Sequence, residues 1–407
     1  MRSFRELLAN RAARAFVVAG FVGRLPMGML GVGIILLVSA RTGSYGVAGA
    51  AGGTYAVSQA IGAPVLGRLV DSYGQARALV PAVLVHVAAV GAMVGCLVAG
   101  VRPWVLIVSA AATGVTLPPV GSLVRARWMA AVGGTPRLPT AMALESTLDE
   151  LVFVAGPPLV SVLVVAVHPL AGLTGAALLA LAGCAALAVQ RHTEPTIRPD
   201  RARRRLFSAI RQPALALTAA VFLAIGGVSG AAGLAVVVVM TAAHAVGLSG
   251  LLLACFASGA MVGGLWYGSK PRRSPLRRQF MSGAAAITVS LVPAVVVTDP
   301  RALFAMLFVT GAVIAPTMIA GFALVADVVP ADVATEGLTW ISAASAAGVA
   351  AGAWLAGQVA EATHDNHVFL VPLASAALAT VVAASGRSVF GRGQASARPL
   401  EQATSAR

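Results

Sequence analysis

The chain has 407 residues, 58% hydrophobic and only 11% charged, with a formal net charge of +15. So few charges exclude an ordinary water-soluble domain, in which about a quarter of the residues are charged. A basic excess suits nucleic acid only where it lines one groove-facing surface. Here the arginines stand in short clusters between long apolar stretches, which is the pattern of a membrane protein, so nucleic acid is set aside as a partner.

At the start of the chain, Arg2, Arg5, Arg11 and Arg14 precede an apolar run from about Ala15 to Ala40. That run exceeds the core of a cleaved signal, about 7–15 residues, and reads as a retained first span. Taking about 20 apolar residues as the requirement for crossing, eleven further spans follow. They lie near 46–68, 78–100, 103–124, 140–166, 170–190, 213–240, 247–268, 281–298, 301–326, 336–360 and 368–386. The organisation expected is a six-helix bundle over 1–190, a central loop over 191–212, a second six-helix bundle over 213–386, and a polar, disordered tail over 387–407. The fold class is all-α: twelve transmembrane helices in two bundles.

Loops that stay in the cytoplasm retain Lys and Arg. With the N-terminus inside, 25 of the 29 basic residues fall on the cytoplasmic side, three (Arg41, Arg102 and Arg301) fall opposite, and Arg24 lies within a span. This places both termini in the cytoplasm and the protein in the inner (plasma) membrane. Clusters such as Arg201, Arg203, Arg204 and Arg205 fix topology and are available to membrane lipid. Cys96, Cys184 and Cys255 sit inside apolar segments without metal-ligand spacing and read as small core residues.

Displaced by 201 residues, the chain matches itself. Gly46, Gly49, Gly62 and Gly67 fall on Gly247, Gly250, Gly263 and Gly268, and Ala19 and Phe21 fall on Ala220 and Phe222. Close helix packing is the expected reason for the shared glycines. Two related halves place a substrate site between them, near the middle of the bilayer.

The segment Gly67-Arg-Leu-Val-Asp71-Ser-Tyr-Gly74-Gln-Ala-Arg77 resembles the signature loop between spans two and three of the major facilitator superfamily. A weaker copy, Gly263-Gly264-Leu-Trp-Tyr-Gly268-Ser-Lys270, falls at the corresponding place in the second half. Closest in pattern is the twelve-span drug/proton antiporter branch. Span four, however, carries Ala112 to Pro119 where that branch has an arginine, and Gly156-Pro157-Pro158 lacks the glycine pair expected after it. The resemblance implies two pseudo-symmetric bundles and alternating access. It also implies a latch made by Gly67, Asp71, Gly74 and Arg77 against the cytoplasmic end of span eleven, where Asp327, Asp332 and Glu336 lie. Arg77 is the expected partner of Glu336.

Charges inside spans are costly, about 2.5–3.5 kcal/mol at a helix centre, and mark coupling or substrate sites. Arg24 stands near mid-depth of span one, and the repeat puts Ile225 at its equivalent, so the fold itself does not require the charge. Span five carries Glu145, Asp149 and Glu150; the first two share a helix face, and Glu150 is turned about 100° away. Arg24 is expected to pair with one of the deeper two, leaving a second carboxyl to carry protons. The competing reading makes all three acids static partners of Arg125, Arg127 or Arg77. Gln59, Thr339 and Trp340 are weaker cavity-lining candidates, and Pro26, Pro64, Pro118, Pro119, Pro157, Pro158, Pro293 and Pro316 are candidate bends. His86 reads as packed, and His364 with Asp365 and His367 reads as a solvated loop and not a metal site.

No phosphate-cradling loop or hydrolase motif occurs, which argues against an ATP-driven pump, an enzyme or a cofactor. The leading expectation is a secondary active transporter, acting as a monomer, that exports a small amphipathic molecule or drug in exchange for protons. Import of a metabolite such as a sugar or nucleoside is the alternative, and a non-transporting membrane sensor or scaffold is the alternative of another class.

Overall fold

A computed structural model of the chain describes residues 2–132, 135, 137–195, 213–269, 274–295, 299–328, 334–363 and 366–386. The central segment 196–212, the tail 387–407, His364 and Asp365, and the side chains of Asp71, Asp327, Glu336 and Thr339 lie outside the described residues. All regular structure among those described is helical. A short α1 (Arg2–Ala9) leads into α2 (Arg11–Thr42), α3 (Tyr45–Tyr73), α4 (Gln75–Ala99), α5 (Pro103–Val115), α6 (Val120–Val132), α7 (Leu138–Val162) and α8 (Ala171–Val189). The second half follows with α9 (Pro213–Ala242), α10 (Leu248–Ser269), α11 (Leu276–Leu291), α12 (Pro300–Val328), α13 (Ala334–Thr363) and α14 (Leu370–Ser385).

Local chemistry sets the ends. Asn10 caps α2, its side-chain oxygen accepting from Ala12 N at 2.9 Å, and Gly43 closes the helix at φ 66°. The twelve crossings are α2, α3, α4, α5 with α6, and α7 to α14, in two six-helix bundles. Span four is the main departure from the sequence reading. It is not continuous but breaks at Thr116–Pro119 and resumes at Val120, running on to Val132 instead of ending near 124. Two successive prolines withhold the N–H groups that would carry the helix through. Among the described residues, ten segments are long and apolar enough to cross a membrane by themselves. The other two crossings are α3, diluted by glycines, Thr54, Ser58 and Gln59, and α11, which is 16 residues long and continues in a 3₁₀ turn to Val295.

The halves repeat their packing. In the first, α2 packs on α7 and α8, α3 on α5, and α4 on α8; in the second, α9 packs on α13 and α14, α10 on α12, and α11 on α14. Between halves the related pairs are α3 with α13 and α7 with α10. The repeated glycines serve these contacts in part. A side chain at Gly62 would run into the backbone of Val115, and one at Gly263 into Ala312; Gly49 meets Ala353 and Gly250 meets Pro157. Gly67 and Gly268 face open space, and a Cβ at Gly247 would meet only Val165 at 3.9 Å, so the packing reason expected for all four pairs holds for both members only at Gly49 with Gly250 and Gly62 with Gly263.

Arg14, Arg77, Arg125, Arg191 and Arg278 stand on one face of the bundle, called here the basic face, and Arg41, Arg102 and Arg301 on the opposite one. The apolar core divides along this axis. Toward the opposite face a single cluster runs through both halves, joining Ile34 and Leu37 of α2, Ala51 of α3, Leu234 and Val237 of α9, and Ala356 of α13. Toward the basic face there are two separate cores. One is built on Phe16, Leu79, Trp128 and Leu187, the other on Phe222, Phe280, Leu324 and Ala383. The close approaches of α3 to α13 and of α7 to α10 also lie toward the opposite face. Among the described residues, the halves thus share one core on that side and have separate cores on the other.

Candidate functional site

The proline break starts α6 at Val120, and one turn later its side chains meet α2 and α7. Arg24 of α2 is 4% exposed. Its Nε donates to Gly20 O at 3.1 Å, its Nη2 to Glu145 Oε2 at 2.5 Å, and its Nη1 to Asp149 Oδ1 at 2.7 Å. Arg125 of α6 donates to the other oxygen of Asp149, and Trp128 Nε1 donates to Glu145 Oε1 at 2.9 Å. Phe16 closes the top of Trp128 edge-on, with ring centroids 4.9 Å apart. Gly121 lies beneath Arg24 and Asp149, where a Cβ would sit 3.5 Å from Arg24 Cδ. Arg24 therefore engages two carboxylates and not the single one expected, and the pair it takes is Glu145 with Asp149, the two that share a helix face. Two arginines and two acids balance in charge, and each acid oxygen has a donor, as burial of an ion network requires.

Arg127, two residues from Arg125, turns away to α4 and α8. It donates to Gln75 Oε1 at 2.7 Å, Gln190 O at 3.0 Å, Thr193 Oγ1 at 2.7 Å and Leu187 O at 2.8 Å. Gln75 in turn donates to Leu123 O at 3.1 Å, and Glu194 accepts from Ala76 N at 3.1 Å. This arginine staples the basic-face ends of three helices.

Glu150 is different. It is half-buried and makes no hydrogen bond or ion pair among the described residues. On α7 it falls in register with Pro157 and Ser161, seven and eleven positions on, and those two meet Gly250 of α10. Its helix stripe thus faces the other half, displaced about 10 Å from the seal toward the basic face.

The signature segment is almost entirely helical. Asp71 belongs to α3, and the loop contracts to Gly74, whose φ of 86° only glycine adopts freely and whose N–H donates to Val70 O at 2.8 Å. Arg77 is exposed at the start of α4, while its expected partner Glu336 lies outside the described side chains. Gln59 is half-buried beside Gly114 of α5, and Trp340 is half-buried on α13. His86 is fully buried, its Nδ1 3.2 Å from Thr116 Oγ1, which agrees with a packing role.

Sequence reasoning passed over Trp128 as a partner of Glu145, and over Glu361 altogether. The latter, at the end of α13, accepts from Gly46 N at 3.0 Å and from the Ser44 hydroxyl. Ser44 itself caps α3 by accepting from Val47 N at 3.1 Å. A carboxylate of one half thus completes a helix N-terminus of the other, where the helix dipole favours negative charge. An acid late in span eleven was the only signal available.

Two pseudo-symmetric bundles meeting along a central seam, with buried ionisable groups beside it, are the organisation of a membrane transporter. The match to the Major Facilitator Superfamily spans residues 16–275, well over half of the chain, and the protein belongs to that superfamily. No curated protein matches it in sequence. Among solved structures, it is similar to a variant of the nucleoside transporter NupG, with a TM-score of 0.74 and 14% identity over 93% of this chain and 100% of that one. It is similar also to a bacterial homologue of the iron transporter ferroportin in an inward-facing state, with a TM-score of 0.70, 17% identity and coverage of 92% and 98%. A variant of the peptide transporter POT gives a TM-score of 0.72 at 12% identity, with 94% and 95% covered. At these identities the likeness is one of fold.

Proposed function

We propose that the protein exports a small amphipathic molecule in exchange for protons by alternating access, and that Glu150 is the carboxyl that takes up and releases the proton. The observation that carries this reading is the division of labour on α7. Glu145 and Asp149 are held by Arg24, Arg125 and Trp128, whereas Glu150, one residue on, has no such partner and lies on the stripe facing the other half. A lone carboxylate at mid-depth is costly, so neutralising it by a proton or by a positively charged solute changes the energy of closing the halves around it. The separate cores on the basic face and the common core opposite support a resting state open toward the basic face, which the arginine distribution makes the cytoplasm. The segment Gly67–Arg77 would then latch the basic face, through Asp71 and Arg77 against Glu336, when the halves rock together there.

The test is an inverted-vesicle assay with a pH-sensitive dye. Candidate substrates should collapse an imposed proton gradient only when active protein is present, and Glu150→Gln should abolish the collapse while the protein still inserts and folds. Undiminished coupling in Glu150→Gln would reject Glu150 as the carrier. Substrate movement without any proton flux in the unmodified protein would reject antiport.

A further inference from the structure

A cavity of about 400 Å³ lies on the flank of the first half, between α3, α4 and the end of α5; of its lining, Arg77 also enters the transport reading above, as a latch residue when the halves close on the basic face. Leu66, Leu69 and Tyr73 line it from α3, Arg77 and Val85 from α4, and Val115 from α5. These α3 residues follow Gly62, which packs on Val115, at intervals of four, seven and eleven, so they share its face. The α13-facing side of α3, marked by Gly49 and Gly53, is turned elsewhere. The groove therefore opens away from the other half, toward the surrounding bilayer.

Its order from surface to depth is that of a lipid. Tyr73 and Arg77 stand where α3 ends and α4 begins, at the basic face, and both are exposed. Val85 is eight residues deeper, about 12 Å along the helix. Between them Ala78 and Ala82 of α4 leave the hollow unfilled. The floor offers no free polar group, because the Thr116 hydroxyl donates to Ala112 O at 2.7 Å and meets His86 Nδ1 at 3.2 Å. Leu69, Val85 and Val115 remain 44%, 56% and 40% exposed. A guanidinium at headgroup level above an apolar slot complements a phosphate carrying an acyl chain, whereas free phosphate would have no use for the slot.

We propose that this groove is a binding site for an anionic phospholipid of the leaflet on the basic face, with Arg77 holding the phosphate and the slot between α3 and α4 holding one acyl chain. The site requires that the bundle spans the bilayer and that Arg77 is not engaged in the latch, so it belongs to the state open toward the basic face and stands apart from the direction and coupling of transport. The interaction of one such charge near a membrane surface predicts a preference of about fivefold over a lipid without net charge.

Native mass spectrometry of the purified full chain, titrated with phosphatidylglycerol or with phosphatidylcholine, tests it. The unmodified protein should retain phosphatidylglycerol about fivefold better. Arg77→Gln should remove that preference, Arg77→Lys should keep most of it, and Arg41→Gln, at an exposed arginine of the opposite face, should leave it intact. Val85→Trp, at a position exposed enough to accept the larger ring without unfolding, should fill the slot and lower retention of both lipids. Equal retention of the two lipids by the unmodified protein, an undiminished preference in Arg77→Gln, or unchanged retention in Val85→Trp would each overturn the assignment. So would a tightly retained solute whose mass fits no phospholipid.

Discussion

Replacing Glu145 by Gln should destabilise the first half by about 3 kcal/mol, the lower end of the cost of breaking a buried ion pair from one side. The figure follows from the geometry. Glu145 is fully buried, and its two oxygens each accept one bond, from Arg24 Nη2 at 2.5 Å and Trp128 Nε1 at 2.9 Å. Glutamine keeps the shape but replaces one oxygen by a donor, so either Arg24 or Trp128 is left facing an N–H. The network also passes from neutral to a net single positive charge. A double-mutant cycle isolates the term. Arg24→Leu alone leaves the buried Glu145 without a counter-charge, whereas Arg24→Leu with Glu145→Leu removes both buried charges and should cost at least 1 kcal/mol less than Arg24→Leu and Glu145→Leu added together. The assay is reversible unfolding in mixed micelles, with Glu150→Gln as the contrast at less than about 0.5 kcal/mol. If Glu150→Gln proved as destabilising as Glu145→Gln, or if the cycle were additive, the separation of held acids from a working one would be wrong.

Three further outcomes bear on how the halves move. Glu361→Gln weakens the charged cap that α13 supplies to α3; about 1.4 kcal/mol of lost charge-assisted hydrogen bonding shifts the closed-to-open ratio on the opposite face about tenfold. Spin labels at Thr42 and Ala362, both exposed, should report it as a longer and broader distance distribution. Gly49→Leu places a side chain against the Ala353 backbone at the seam between halves while leaving the contacts inside each bundle untouched. It should stop transport and hold the opposite face open without lowering the melting temperature, as labelling of a cysteine at position 362 would show. Gly62→Leu, by contrast, strikes Val115 within the first half and should lower the yield of folded protein instead. If the two glycine variants behaved alike, the distinction between seam and bundle would fail.

Much of this architecture was legible in the chain alone, because the bilayer leaves few choices. Apolar runs of spanning length must be helical where no water can satisfy backbone groups, and the alternation of arginines orders the loops. The repeat of glycines could be read as two halves because the same close approach, of α3 to α5 and of α10 to α12, demands glycine twice. Spacing likewise placed Glu145 and Asp149 on one face of α7.

What spacing could not supply was partnership. Whether Arg24 takes one acid or two depends on where α6 resumes after Pro118 and Pro119, since only that restart brings Arg125 and Trp128 against α7. The different fates of Arg125 and Arg127, two residues apart on one helix, follow from which neighbour each side of α6 meets. Glu361 looked like any acid near a helix end until the halves were brought together and it met Ser44 and Gly46 across the seam. The sequence by itself determined that the chain spans a membrane twelve times in two related halves, because hydrophobicity and charge are local properties. The tertiary structure decided which charges neutralise one another and on which side the halves are sealed, because those depend on distances between separate helices, which no local pattern records.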